Sequence, residues 1–219
     1  MTAAMDTSKQ REHVFWHELR SPAGTLFTLL DVMAQGFAGE APPALVDLIE
    51  RARRQAGRLN AMIAAAHDVE RLRWGTLVVR REPVDLAAAV AAAVALVEPA
   101  AQTRDVRLER FPGPALPVAS DPVLLDRCLD TLLRAAIEAS ARGGSVAIEL
   151  IRREGSAAVA ARVGTPAKAE GLAVAFTQDS SLGIRGGSGL GLYEIKLLVE
   201  AMGGSASSEG GVLELRLPL

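Results

Sequence analysis

Aromatic residues make up only 4% of this 219-residue chain, so any core must be packed with alanine, leucine and valine, a composition that favours helices. Cysteine is almost lacking. The single Cys128 excludes an internal disulfide framework and a zinc site of several cysteines, and it fits a reducing compartment. Taken alone, Cys128 reads as a small apolar residue buried in a helix. No charge surplus exists either: 24 Lys and Arg against 26 Asp and Glu leave a net charge of -2, with no general pull toward nucleic acid or an anionic membrane. The most apolar stretch, Leu86 to Ala101, is too short for a membrane span and is weakened by its alanines. Asp6, Lys9, Arg11 and Glu12 give the N-terminus no signal-peptide pattern. Repeats and low-complexity linkers are also missing. These absences together predict a cytoplasmic protein that neither inserts in a membrane nor binds nucleic acid.

What is present falls into two halves. From about Asp6 to Gln35, Val14, Leu19, Leu26, Leu29, Leu30 and Met33 recur at helical spacing, with Pro22 and Gly24 predicting a kink. Gly36, Gly39, Pro42 and Pro43 make a connector, and a second helix is expected from Ala44 to Arg73. Such a hairpin cannot cover both of its apolar faces, so a homodimer forming a four-helix bundle is expected. After Trp74 and Gly75 short strand-like runs alternate with helices, placing a boundary between a helical hairpin at 1–75 and an α/β sandwich at 76–219. In the second half strands are expected at Thr76–Arg80, Val106–Phe111, Ser145–Arg153, Ala157–Val163, Ser205–Ser208 and Val212–Leu217. Helices are expected from Asp85 to Ala101, from Ser120 or Asp121 to Ala141, and from Gly189 to Met202. The fold class is therefore α+β, with residues 112–117 and 164–187 as irregular connections.

Two strings carry chemistry. The first, His17-Glu18-Leu19-Arg20-Ser21-Pro22, lies on the first helix. A neutral imidazole is nucleophilic near pH 7, and a neighbouring carboxylate can orient it and take its other proton. His13 lies one turn earlier but finds no third partner for a metal site, and His67 reads as structural. The basic run Arg51-Ala52-Arg53-Arg54 reads as a solvated helix face. The second string, Gly186-Gly187-Ser188-Gly189-Leu190-Gly191-Leu192, opens a helix, where glycine lets backbone approach a phosphate and the helix start supplies free N–H groups.

The hexapeptide, the hairpin and the glycine box before a helix resemble the sensor histidine kinases over almost the whole chain, and the second half resembles the ATPase fold they share with gyrase. The resemblance implies that His17 is a phosphoacceptor, that Glu18 assists by taking its proton, and that Ser21 stands where a residue positions water for dephosphorylation. It implies ATP and magnesium as ligands, a response-regulator receiver domain as partner, and an upstream sensor protein or domain as the source of input. Gly187, Gly189, Leu190 and Gly191 then face the nucleotide, with Thr131 and Glu138 on the preceding helix.

Two departures bear on ATP. The family helix carries two asparagines, the second a magnesium ligand; Thr131 and Ala135 occupy those positions, and Ala135 offers no oxygen. Glu138, one turn beyond, is a candidate replacement. The family strand ends in an Asp-x-Gly-x-Gly box that binds the adenine amino group, whereas this chain reads Arg162-Val163-Gly164-Thr165-Pro166, and an arginine only donates. The stretch to Gly187 is short for a nucleotide lid, with Phe176 at the place of its aromatic anchor. Three readings stand open: an unconventional autokinase, a phosphotransferase or pseudokinase that does not use ATP, and a scaffold without catalysis.

Overall fold

The computed structural model describes residues 2–36, 39, 42–110, 113–167, 169–177 and 191–219; for residues 2–17, 43, 44, 73, 169 and 170 the backbone alone is described. The chain divides into two compact units, Met1–Glu70 and Arg71–Leu219.

The first unit is built on two long helices, α1 (Thr2–Ala34) and α2 (Pro43–Arg73). Pro22 sits inside α1, where it has no N–H to give the Glu18 carbonyl one turn back. Ile49, Ala56 and Ile63 recur every seven residues on α2 and are buried, as is Ala23 on α1. Gly57 lets the pair close: a Cβ there would stand 3.2 Å from the Phe27 ring. Near the turn Arg53 reaches Asp31 of the other helix at 3.1 Å and Glu50 of its own at 3.1 Å. Both carboxylates hold the guanidinium above its ordinary range, Glu50 more strongly than Asp31.

The second unit contains a small sheet of β1 (Glu82–Asp85) and β3 (Pro117–Ser120), and a five-stranded sheet. The larger sheet runs in the order β2 (Arg107–Arg110), β4 (Ser145–Arg153), β5 (Ser156–Val163), β7 (Val212–Pro218), β6 (Ser205–Glu209). Only β2 and β4 are parallel, joined by a crossover through α4 (Pro122–Ala139); the other neighbours are antiparallel. Three longer helices, α3 (Leu86–Thr103), α4 and α6 (Leu192–Ala201), accompany a single turn and a half, α5 (Ala169–Ala173). Twelve of the 18 residues of α4 are buried, which makes it the central helix of the layer between α3, α6 and the sheet. Leu213, Leu215 and Leu217 alternate inward from β7 and are buried. Each such leucine contributes about 1.5–3 kcal/mol through burial.

Side-chain caps hold the helix starts. Asp85 accepts from the Leu116 and Ala87 N–H groups, each at 3.0 Å, and these bonds, that from Leu116 first, hold its carboxyl below the usual carboxylate range. Its contribution to stability is present at neutral pH and is lost as pH falls through that lowered range. Asp121 accepts from the Val123 and Leu124 N–H groups of α4 at 3.1 and 3.2 Å and from the Arg80 N–H at 3.0 Å. Replacing it by alanine strands all three donors, so Asp121→Ala is expected to cost about 2–3 kcal/mol. In thermal unfolding that is a drop of about 5–10 °C; a shift under about 1 °C would show that the cap carries no weight.

Several expectations are corrected. The strand expected at Thr76–Arg80 is irregular backbone, and pairing begins only at Glu82. A strand, β3, occupies residues expected to be loop and helix cap, and α5 interrupts the irregular stretch 164–187. By length and composition α3 would suffice to cross a membrane, contrary to the shorter estimate, yet it forms a layer of this sandwich, burying Leu86, Val90, Ala93, Val97 and Ala101. Cys128 lies buried within α4, and burial pushes its thiol up to about 12. It is expected to resist iodoacetamide in the native protein and to react after denaturation; alkylation at equal rates in both states would contradict that burial.

Candidate functional site

His17 lies in α1, and its helical backbone is described. Glu18 and Ser21 are exposed on the same helix, Ser21 four residues on and so on the same face as His17. The Ser21 carbonyl accepts the Thr25 hydroxyl at 3.0 Å, which leaves the Ser21 hydroxyl outside that bond. With Pro22 freeing the Glu18 carbonyl, the turn after His17 exposes a carboxylate, Glu18, and a hydroxyl, Ser21, on a helix.

The expected nucleotide residues belong to the second unit. Thr131, Ala135 and Glu138 lie along the buried side of α4; Ala135 has no exposed surface, and Glu138 only 7%. The Glu138 carbonyl accepts from Arg104 Nη2 at 3.2 Å, an arginine placed at the negative end of α4. Beyond α4 the chain is sewn to the segment that follows β5. Ala141 N–H donates to the Thr165 carbonyl at 2.8 Å and Ala167 N–H to the Ala139 carbonyl at 2.7 Å, around a bridge between Ser140 and Pro166. Phe176 is buried. Gly191 forms the N-cap of α6 at φ -85° and ψ 170°, a conformation open to any residue. Gly187, Gly189 and Leu190 lie outside the described residues.

The strand β5 sets the face on which Arg162 lies. Its alternation turns Arg162 to the sheet face away from the helices, where it is exposed and stands 3.9 Å from Glu149. Val163 is the residue directed to the helix side, and it is buried. Val163 N–H donates to the Gly211 carbonyl at 2.9 Å, beside the start of β7.

Val163 also lines a cavity of about 400 Å³ with Gly164, Pro166, Leu172, Ala173 and the hairpin residues Ser208–Gly211. Sequence reasoning missed this cavity, because Leu172 and Ala173 belong to a helix too short to leave a periodic signal. Among the described residues no cluster of His, Cys, Asp and Glu could hold a metal ion.

No family model matches the chain. It is similar to the sensor histidine kinase GacS of Pseudomonas protegens, 27% identical over 200 residues that cover 86% of this chain and 22% of GacS. Among solved structures it resembles full-length ShkA in complex with AMPPNP, with a TM-score of 0.67, 18% identity and coverage of 95% of this chain and 45% of that one. It also resembles the histidine kinase ThkA in complex with the response regulator protein TrrA, with a TM-score of 0.57, 17% identity and coverage of 100% and 66%. In sequence and in fold the chain is related to the sensor histidine kinases, and its α+β architecture is theirs. It spans about a quarter of the length of the GacS proteins it matches.

Proposed function

We propose that this chain is a phosphotransfer module of two-component signalling, in which His17 receives a phosphoryl group from, or returns it to, an aspartate of a response-regulator receiver domain. The observation that carries the reading is the string His17 to Pro22 on α1, exposed from Glu18 to Pro22, in a chain with histidine kinase fold. In the forward direction a ring nitrogen of His17 attacks phosphorus, the P–O bond to the aspartyl carboxylate breaks, and Glu18 takes the proton from the other ring nitrogen. The receiver carboxylate leaves with the electron pair of the broken bond. Ser21, on the same face, is the residue to hold water for hydrolysis of a receiver phosphate.

The residues present do not fit ATP and magnesium. Ala135 is a closed methyl where a magnesium ligand stands in the family, and Arg162, at the place of the family's acidic residue, is exposed beside Glu149 and has no acceptor to offer adenine. Glu138, the candidate replacement, is turned into the buried side of α4. No step is assigned to ATP, and phosphate exchange with receiver domains is the reading the geometry favours.

The module acts in the cytoplasm as a homodimer, with input arriving from a sensor protein or domain. Supporting the dimer, α2 carries a second apolar row, with Leu45, Leu48, Leu59 and Met62 exposed at heptad spacing, and α1 exposes Leu19, Leu26 and Met33 every seven residues. Light scattering is expected to give the dimer mass for the wild type and the monomer mass for a Leu26→Glu, Leu59→Glu protein. Identical masses would remove the four-helix bundle from the account. The reading as a whole is tested by mixing the protein with a phosphorylated receiver domain and following label onto His17.

A further inference from the structure

The edge of the larger sheet and the cavity beside it belong to the second unit, and their reading does not rest on phosphotransfer. The strand β6 pairs with β7 on one side only. A two-residue turn, Gly210 and Gly211 at φ 54° and 79°, joins them and sets the register Glu209↔Val212. In a hairpin of that kind the closing pair exchanges both hydrogen bonds, so Glu209, Ser207 and Ser205 bond to β7, and the intervening residues point their backbone groups the other way. Ala206 and Ser208 therefore present two N–H and two C=O groups along the free edge, and among the described residues no backbone hydrogen bond reaches them there.

Of the devices that usually blunt such an edge, β6 has its five-residue length and one charge, Glu209. The strand Ser205–Glu209 contains no proline and no lysine, and its register with β7 is continuous, without a bulge. The Ser208 side chain points to the helix face of the sheet, where the cavity of about 400 Å³ opens between the strand end and Leu172 and Ala173 of α5. On the opposite face Glu209 is exposed, and among the described residues it has no ion pair. Residues of an added strand put their side chains on the same face as the residues they oppose.

We propose that this edge binds an extended peptide of a protein partner, which adds a strand to β6, seats one apolar side chain in the cavity and sets a basic side chain beside Glu209. The backbone groups of Ala206 and Ser208 supply affinity, and the cavity and the carboxylate supply selectivity. The apolar and basic residues are adjacent in the peptide, because neighbours in a strand face opposite ways. A second copy of this chain does not fit: the residues of its own β6 that would point toward the cavity are Ala206 and Ser208, too small to fill it.

The test is a hexapeptide array in which every apolar–basic pair is displayed in a threonine background, probed with the full chain. Peptides pairing leucine, isoleucine or phenylalanine with lysine or arginine are expected to be retained. Binding of the best one is expected to weaken at least about tenfold for Ser208→Pro, which removes one edge N–H without touching the β7 ladder, and by a similar factor for Ala173→Trp, which fills the cavity. Glu209→Gln is expected to weaken only the peptides with a basic residue. Unchanged circular dichroism and melting of each variant confirm that it folds, and amide exchange at Ser208 is expected to slow when peptide binds. An array without retained peptides, equal binding by Ser208→Pro, or an oligomer that Ser208→Pro takes apart would overturn the proposal. Since His17→Gln leaves this edge intact, peptide binding and phosphotransfer stand or fall separately.

Discussion

A His17→Gln protein is expected to take up no phosphoryl group from a phosphorylated receiver domain, with label below about one thousandth of the wild-type level. Glutamine keeps the length and polarity of the side chain but has no nucleophilic ring nitrogen, so the loss is chemical and the fold is untouched. The melting temperature should be that of the wild type, because the neighbouring residues Glu18 to Pro22 are exposed and Gln keeps the helix. Glu18→Gln is expected to slow transfer by about 10²-fold while leaving its extent unchanged, as removal of a proton acceptor does. Full signalling output from His17→Gln would instead favour a scaffold that docks partners without carrying phosphate.

The second large effect concerns ATP. Incubation with γ-labelled ATP and magnesium is expected to leave the wild-type protein unlabelled, and titration with AMPPNP to show no saturation below about 1 mM. A charged hydrogen bond to the adenine amino group is worth about 1.5–3 kcal/mol, or about one to two powers of ten in affinity. On the resemblance Ala135 stands at the place of a magnesium ligand, and the loss of that ligand is expected to add to the first. Saturable binding of AMPPNP at micromolar concentration would mean that Glu138 or another oxygen rescues the site.

The sequence made the helical hairpin and the central strand pair legible because each has a strong local signal. Seven-residue recurrence marks α2, and the long runs on either side of Gly155 place β4 and β5 within one residue of where they lie. Asp121 followed by Pro122 announces α4, as a cap and a proline at the first helical position should. The small sheet was not legible. The run Thr76–Val79, three of its four residues β-branched, has strand propensity but no strand partner among the described residues, whereas β1 and β3, carrying Pro83 and Pro117, pair with each other across more than thirty residues. Strand propensity is decided by such pairing, which no window of sequence contains. The same limit explains Arg162: an arginine in the family's acidic box reads as an opposing charge until the register of β5 turns it to the far face beside Glu149. His17, Glu18 and Ser21 lie on one helix, so their placement together on α1 was legible without any distant partner.

The most direct measurement is of the source of phosphate on His17. The protein is mixed in parallel with receiver domains charged by acetyl phosphate and with ATP and magnesium, and His17 is examined for the phosphoryl group by mass spectrometry. The account predicts phosphohistidine at His17 from at least one charged receiver domain and none from ATP. Phosphohistidine from ATP, or none from any charged receiver domain, would contradict it.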